Sequence, residues 1–227
     1  MSAAPAVPQP RIWPMYRALV GVGLLCGALI VGVFEWTRPV IARNRAEALE
    51  RAIFDVLPDA RSSASFRLLR EGGVVPATAA GEGRVVHAGY GEDGALTGFA
   101  IEARGMGYQD VLHVLYGYAF ARDAIIGFRV LESRETPGLG DKIESDSSFL
   151  ANFRELAVPL AEDDDSLLHP IEYVKQGEKQ HPWEIDGITG ATISSKAVAG
   201  ILGESAAFWL PRLRTRLDAF APPEAPE

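Results

Sequence analysis

The run Ala18–Phe34, ALVGVGLLCGALIVGVF, carries no charge. With its aromatic flanks Tyr16 and Trp36 it approaches the ~20 residues a helix needs to span hydrocarbon. It reads as a transmembrane helix over residues 15–36, with Trp13 and Trp36 where interfacial aromatics sit. A cleaved signal peptide is the rival reading, with Val40-Ile-Ala42 as a poor cleavage site; the run is long for an h-region of about 7–15 residues. Charge does not orient the helix. Arg11 and Arg17 precede it, and Arg38, Arg43, Arg45 and Arg51 follow it, so the positive-inside rule gives no clean vote. Gly21, Gly23, Gly27 and Cys26 either mark close packing with partner helices or are ordinary transmembrane composition.

The remaining length suits one compact domain of roughly 150–180 residues. Residues 1–14, rich in Ala and Pro, read as a disordered lead, and residues 222–227 as a disordered tail. Residues 37–58 read as a connecting helix, with Ala46, Leu49, Ile53 and Val56-Leu57 at helical spacing and Pro58 ending it. Residues 59–221 form the domain. Its first part, 60–83, is turn-rich. Strand candidates follow at Arg84–Tyr90, Leu96–Ala103, Val111–Ala119 and Ile125–Glu132, with Asp93-Gly94 as a hairpin turn. Gly98-Phe-Ala-Ile-Glu-Ala-Arg104 echoes Gly127-Phe-Arg-Val-Leu-Glu-Ser-Arg134, which suggests paired β-meanders. A short helix over Phe149–Leu156, strands at Pro170–Gln176 and Trp183–Ile185, and an amphipathic helix from about Ser195 complete the pattern. Pro211 should kink or end that last helix. The fold class is α+β: one N-terminal membrane helix, then antiparallel β-meanders with flanking helices.

Several chemistries are disfavoured. The formal charge is -8, and no basic run is present, which argues against a nucleic-acid partner. Cys26 is the single cysteine, so neither an internal disulfide nor a Cys-based metal or iron–sulfur site fits within the chain. His87, His113, His169 and His181 lack metal-ligand spacing, and Glu162-Asp-Asp-Asp165 reads as a solvated loop without EF-hand spacing. No metal ligand and no catalytic residue is assigned, because no catalytic triad, Walker loop or paired-carboxylate motif is recognisable.

The chemistry concentrates in Asp186-Gly-Ile-Thr-Gly-Ala-Thr192 and the following Ile193-Ser-Ser195. Two glycines free the backbone for a tight turn and close approach. Thr189, Thr192, Ser194 and Ser195 supply hydroxyls. A helix N-terminus just beyond would aim unpaired amides at a phosphate. The same letters also fit a plain glycine turn with a serine N-cap. A second loop, Glu135-Thr-Pro-Gly-Leu-Gly140-Asp-Lys142, fits a type II turn at Pro137-Gly138; by spacing alone it joins a strand to a helix. A third, Gly105-Met-Gly-Tyr108, ends on an aromatic.

Asp186–Thr192 resembles the flavinylation motif of the FMN-binding domain family, without departure over its seven positions. The resemblance implies FMN joined through its phosphate to the hydroxyl of Thr192 by a flavin transferase. Asp186, Gly187, Thr189, Gly190 and Ala191 would then present that hydroxyl. Glu135, Thr136, Pro137, Gly138, Leu139 and Gly140 match a second hallmark, found in subunits similar to RnfG and NqrC, that lies against the isoalloxazine ring and ribityl chain. Gly105–Tyr108 matches a Gly-x-Gly-Tyr segment of the same family, so Tyr108 either flanks the flavin or is an ordinary aromatic. Lys142 is a candidate counter-charge. Trp183 either shields a flavin edge or belongs to the core.

The two motifs together imply an electron-carrying RnfG-like subunit of an Rnf-type complex coupling ferredoxin and NAD to ion movement. Its partners would be membrane subunits carrying flavin or iron–sulfur groups. The implied place is a bacterial inner membrane, with the domain on the periplasmic side. The sibling reading is an NqrC-like subunit of a Na⁺-translocating NADH:quinone reductase. The reading from another class is a non-redox, membrane-tethered binding or scaffold module in which Thr192 is only a turn residue.

Overall fold

A computed structural model describes residues 12–69, 72–79, 82–162 and 164–222. The expectations for 1–11 and 223–227, and those resting on Gly81 and Asp163, lie outside the described residues. The chain divides into two compact units at Glu47/Ala48.

Helix α1 runs unbroken over Ile12–Val56, with Pro39 inside it. The stretches expected as a membrane helix and a connecting helix are thus one element. Pro39 lacks the N–H that would bond the Glu35 carbonyl. Close by, the Thr37 hydroxyl donates to the Val33 and Phe34 carbonyls at 2.9 and 3.2 Å. In the first unit the helix is long and apolar enough to cross a membrane, by length and composition. Its large side chains, from Leu19 to Trp36, are all exposed.

In the second unit seven strands form one antiparallel sheet in the order β2-β1-β3-β4-β5-β6-β7. They are β1 Ser62–Leu69, β2 Val74–Pro76, β3 Gly83–Tyr90, β4 Leu96–Met106, β5 Val111–Ala119, β6 Ala124–Glu132 and β7 Leu156–Ala157. The central strands match the sequence expectation to within a few residues. The turn-rich reading of 60–83 is corrected: β1 and β2 occupy much of it. Only Phe66 and Leu68 alternate inward there, too short a pattern to stand out until pairing with β3 supplies the ladder. The outward Arg67 then ties the segment down by donating to the Ala77 and Ala79 carbonyls.

Beyond β6, a 3-10 turn spans Gly140–Glu144 and helix α2 spans Ser147–Ala151. The expected helix over Phe149–Leu156 therefore starts and stops earlier. Asp146 caps α2, its side chain accepting from the Ser148 and Phe149 amides. A 3-10 turn at Asn152–Arg154 then leads into β7. Strands β8 Glu172–Val174 and β9 Glu184–Asp186 make a separate parallel pair. Helix α3 spans Thr192–Arg214 and passes through Pro211 without ending.

Both faces of the sheet are covered, which is why β5 reads as an almost continuous apolar run. One face packs against α3 through Phe99, Ile101, Val114, Tyr116, Val198, Leu202 and Trp209. Each such fully buried side chain contributes about 1.5–3 kcal/mol. Phe220 closes this layer, 4.8 Å from Phe99 and 5.2 Å from Phe66 by ring centroids. Tyr90 donates a hydrogen bond to the Phe220 carbonyl at 3.0 Å.

The other face takes the end of α1 and the residues after it: Ala52, Ile53, Val56, Leu57 and Ala60 against Ala100 and Leu115. The contact is intimate because the sheet is lined there by Gly89, Gly98, Gly117 and Gly127. A Cβ at Gly117 would overlap the Val56 carbonyl, and one at Gly127 would lie 2.5 Å from Val56 Cα. Farther along the same face a hydrogen-bonded row crosses four strands: Ser65 Oγ to His87 Nδ1 (2.8 Å), His87 Nε2 to Glu102 (3.3 Å) and Glu102 to His113 Nε2 (2.7 Å).

Two stability tests follow from these contacts. Gly117→Ala should destabilise the domain by about 1–3 kcal/mol through overpacking, read as a lower melting temperature. Gly200→Ala, on an exposed turn of α3 with open space around it, should instead stabilise by about 0.4–1 kcal/mol. The row also has a pH signature. His87 first, by its hydrogen bond, and then His113 hold the Glu102 carboxyl below its ordinary value against the opposing effect of burial. Its contribution is therefore present above the unfolded glutamate range and lost as the pH falls through the folded value. In a pH series of thermal melts, Glu102→Gln should flatten that acid limb.

Candidate functional site

Three loops meet at one end of the second unit: Gly107–Asp110 between β4 and β5, Ser133–Leu139 after β6, and Gly187–Ala191 between β9 and α3. They surround a cleft of about 340 Å³ lined by Tyr108, Thr136, Leu139 and Gly140 on one side. The other side is Gly190, Ala191, Thr192, Ile193 and Ser194.

Glu135 joins the loops from behind the cleft. Its side chain is buried at 5% exposure. One carboxylate oxygen accepts the amides of Tyr108 (2.8 Å) and Gln109 (3.1 Å). The other accepts the Ser194 hydroxyl at 2.5 Å. Gly107 and Gly140 leave the room this carboxylate needs, since a Cβ at either would strike it. Thr136 Oγ1 adds a bond to Gln109 Oε1 at 3.0 Å. The expected turn at Pro137-Gly138 is present: Gly138 has φ +78, and the Leu139 amide donates to the Thr136 carbonyl at 3.1 Å.

The Asp186–Thr192 loop is held as firmly. Asp186 directs its carboxylate to the Gly177 amide at 2.7 Å. Its backbone is clamped by Asn152 at 3.0 Å on both N–H and C=O. Gly187 packs so tightly on the Tyr173 ring that no Cβ fits. Thr189 is anchored through its amide to Gln176 Oε1 at 3.1 Å. Gly190, at φ +86, turns the chain so that the Ala191 amide reaches the Ile188 carbonyl at 3.0 Å.

Helix α3 then begins at Thr192, three residues before the expected start. Its first intrahelical acceptor is the Ala191 carbonyl, bonded to the Ser195 amide at 2.9 Å. The amides of Thr192, Ile193 and Ser194 precede that bond and face the loop end. Ser195 is fully buried and its hydroxyl accepts from the Ile188 amide at 3.2 Å. Among the four hydroxyls of this stretch, Ser194 and Ser195 are therefore committed to the fold. Thr189 and Thr192 are exposed, and of these only Thr192 lines the cleft. Among the described residues, none hydrogen-bonds to the Thr192 hydroxyl.

The structure thus brings Tyr108, Thr136, Leu139, Gly140, Gly190, Ala191 and Thr192 to one cleft, with Glu135 directly behind. Asp186, Gly187 and Thr189 shape the approach to it, and Pro137 and Gly138 form the exposed turn beside it. Lys142 sits half-buried in the 3-10 turn and is not part of the cleft wall. Trp183 is stacked between His169 (3.9 Å) and His181 (4.6 Å), outside the wall. Ile193 and Ser194 are the additions that sequence reading did not single out for the site. Ile193, with Met106, Tyr108, Val111 and Leu139, accounts for most of the exposed large hydrophobics of this unit. A buried Glu facing a buried Ser had no sequence signal, because the two are 59 residues apart. Among the described residues no cluster of three or more His, Cys, Asp or Glu gathers to hold a metal.

Removing the brace should be costly. Glu135→Ala strips the acceptor from two amides and a hydroxyl and should destabilise by about 1–3 kcal/mol. Hydrogen exchange at the Tyr108 and Gln109 amides should rise with it, while Glu135→Gln, which keeps an acceptor, should lose less.

Residues 107–206 match the FMN-binding domain family, and every candidate residue from Tyr108 to Thr192 falls within that range. The chain is 37% identical over 131 residues to the RnfG component of the ion-translocating oxidoreductase complex of Cereibacter sphaeroides, covering 56% of each chain. It thus spans little more than half the length of that relative. The same component from Methanosarcina acetivorans is 29% identical over 187 residues, covering 81% of this chain and 87% of that one. The crystal structure of Shewanella oneidensis NqrC shares the fold, with TM-score 0.55 and 16% identity over 77% of this chain and 96% of that one. These matches bear out the resemblance drawn from the motifs and the α+β fold.

Proposed function

We propose that this chain is the FMN-carrying electron-transfer subunit of a membrane-bound, Rnf-type ion-translocating oxidoreductase, with FMN joined through its phosphate to Thr192 Oγ1. The observation that carries the reading is the singular position of that hydroxyl. It is exposed, bonded to no described residue, and set on the rim of the cleft at the N-terminus of α3. The relatives, being RnfG components of ion-translocating oxidoreductase complexes, support the same assignment.

The residues present suit such a group. The first-turn amides of α3 offer donors to nonbridging phosphate oxygens, and the helix end favours an anion by about 0.3–1 kcal/mol. Tyr108, Leu139, Ala191 and Ile193 give apolar surface for a flat ring system. Gly138 and Gly190 have open space where a Cβ would stand, so a ligand can lie close to the backbone. Asp186, Gly187 and Thr189 hold the loop that presents Thr192, Glu135 fixes the facing wall, and Lys142 serves as a more distant counter-charge. When bound, the flavin supplies the electron-accepting and electron-donating chemistry. The chain's own part is to hold it, shield it on one side and leave it open to partners on the other.

In this reading α1 anchors the subunit in the lipid of a bacterial inner membrane, with the domain on the periplasmic side. A flavin transferase loads Thr192. Neighbouring subunits bearing flavin or iron–sulfur groups exchange electrons with it, within a complex that couples ferredoxin and NAD to ion movement.

The test is intact mass and peptide mapping of the full chain co-expressed with an active flavin transferase. The expected result is a gain of one FMN less one water on the Thr192 peptide, absent from Thr192→Val and absent without the transferase. A modified Thr192→Val protein would remove the site assignment. An unmodified wild-type chain, alongside a control substrate that is modified, would leave a membrane-tethered binding module instead. Co-purifying subunits separate an Rnf-type assembly from an NADH:quinone reductase.

A further inference from the structure

A second basin lies away from Thr192, along the C-terminal half of α3. Pairing between β3 and β4 stops at His87–Ala100. Yet β3 continues to Gly83 against β1, and β4 to Met106 against β5. The two strands therefore part, and α3 covers the gap with Ile201, Ser205 and Trp209, leaving a cavity of about 860 Å³. Gly83, Arg84 and Phe208 are shared with an adjoining cleft of about 480 Å³, whose walls carry Arg84, Arg212 and Arg216.

These three arginines come from two elements and converge on one ring. The guanidinium carbons of Arg84 and Arg212 lie 4.0 and 4.1 Å from the Phe208 centroid. Arg212 and Arg216 each give one Nη1 donor to a carbonyl of the last turns of α3, Phe208 O at 2.5 Å and Arg212 O at 3.1 Å. Helix capping accounts for those two donors. It does not account for Arg84, which reaches the same ring from β3, nor for the donors left over. Among the described residues none of the three forms an ion pair with a carboxylate, although Glu82 stands in the same wall. In a chain of formal charge -8, a concentration of cations without paired carboxylates is a local exception to the overall field.

We infer that this cleft is a second anion site, independent of Thr192, that takes a phosphate ester. Stacking on Phe208 fixes the guanidinium planes in advance, so their forks are oriented before a ligand arrives. A carboxylate offers two oxygens, whereas a terminal phosphate offers three to converging forks. The ester's organic part has room in the adjoining gap beside Ile201 and Trp209. Two sources share this chemistry: a soluble phosphate compound and a phospholipid headgroup.

The experiment uses the full chain made without flavin transferase, so that Thr192 carries nothing. One arm titrates inorganic pyrophosphate into the chain in a neutral detergent. The other compares nanodiscs of phosphatidylcholine with nanodiscs containing phosphatidylglycerol. Both arms read hydrogen exchange at residues 83–85 and 208–216, and calorimetry gives the pyrophosphate affinity. Saturable protection by pyrophosphate assigns a soluble ligand, and protection only with phosphatidylglycerol assigns a headgroup. Arg84→Gln/Arg212→Gln should weaken either response about tenfold or more, and Arg61→Gln, on another surface, should not change it. Should the double glutamine variant lose its fold, Arg84→Lys/Arg212→Lys keeps the charge without the fork and should still bind several-fold more weakly. Protection by neither probe, or an unchanged response in a folded double variant, overturns the proposal.

Discussion

The candidate site depends on one buried carboxylate. Glu135 accepts two backbone amides from the loop after β4 and a hydroxyl from the first turn of α3. A charged group inside protein is expensive unless its acceptor sites are filled. Here three donors from two other segments fill them, so the carboxylate becomes a reason for those segments to stay together. The glycines beside it have the same logic. Gly107 and Gly140 are where they are because a side chain would take the space of the carboxylate. Thr192, two residues from Ser194, therefore has its position set by a residue that never reaches the cleft.

That brace needs a rigid frame behind it, and the sheet supplies one by being covered on both faces. On one side α3 buries its apolar stripe against the central strands. On the other, four glycines let the end of α1 lie almost on the backbone. Contacts of this kind tolerate little relaxation, since interiors are packed close to the density of crystals. The strands cannot shift without moving one cover or the other. The loops at their ends inherit that stiffness, which suits a group that must keep a fixed distance to its electron partners.

The central strands were legible because both-sided burial writes long apolar runs into the chain, as in Val111–Ala119. The type II turn at Gly138 was legible because Pro-Gly is a local instruction. β1 was not, since its inward residues are only Phe66 and Leu68 and its ladder is made with a strand that follows later. The linkage of Glu135 to Ser194 was illegible for a related reason: 59 residues separate them, and nothing local to either predicts the other. The splitting of β3 from β4 was equally hidden, because a strand's sequence records which residues face inward, not where its neighbour leaves.

The choice of hydroxyl illustrates how fine that boundary is. Sequence alone offered Thr189, Thr192, Ser194 and Ser195 on nearly equal terms. Successive residues of an α-helix rotate by about 100°, so the residue at which α3 begins decides which of them face inward. With the start at Thr192, Ser194 and Ser195 turn toward the core and are spent on Glu135 and Ile188. Thr192 and Ile193 turn outward, one bringing a hydroxyl and the other an apolar wall. A helix beginning at Ser195, as periodicity suggested, would have left all four in a loop with no such division. The three-residue difference in the start of one helix separates a plain glycine turn from a cleft with one available nucleophilic oxygen.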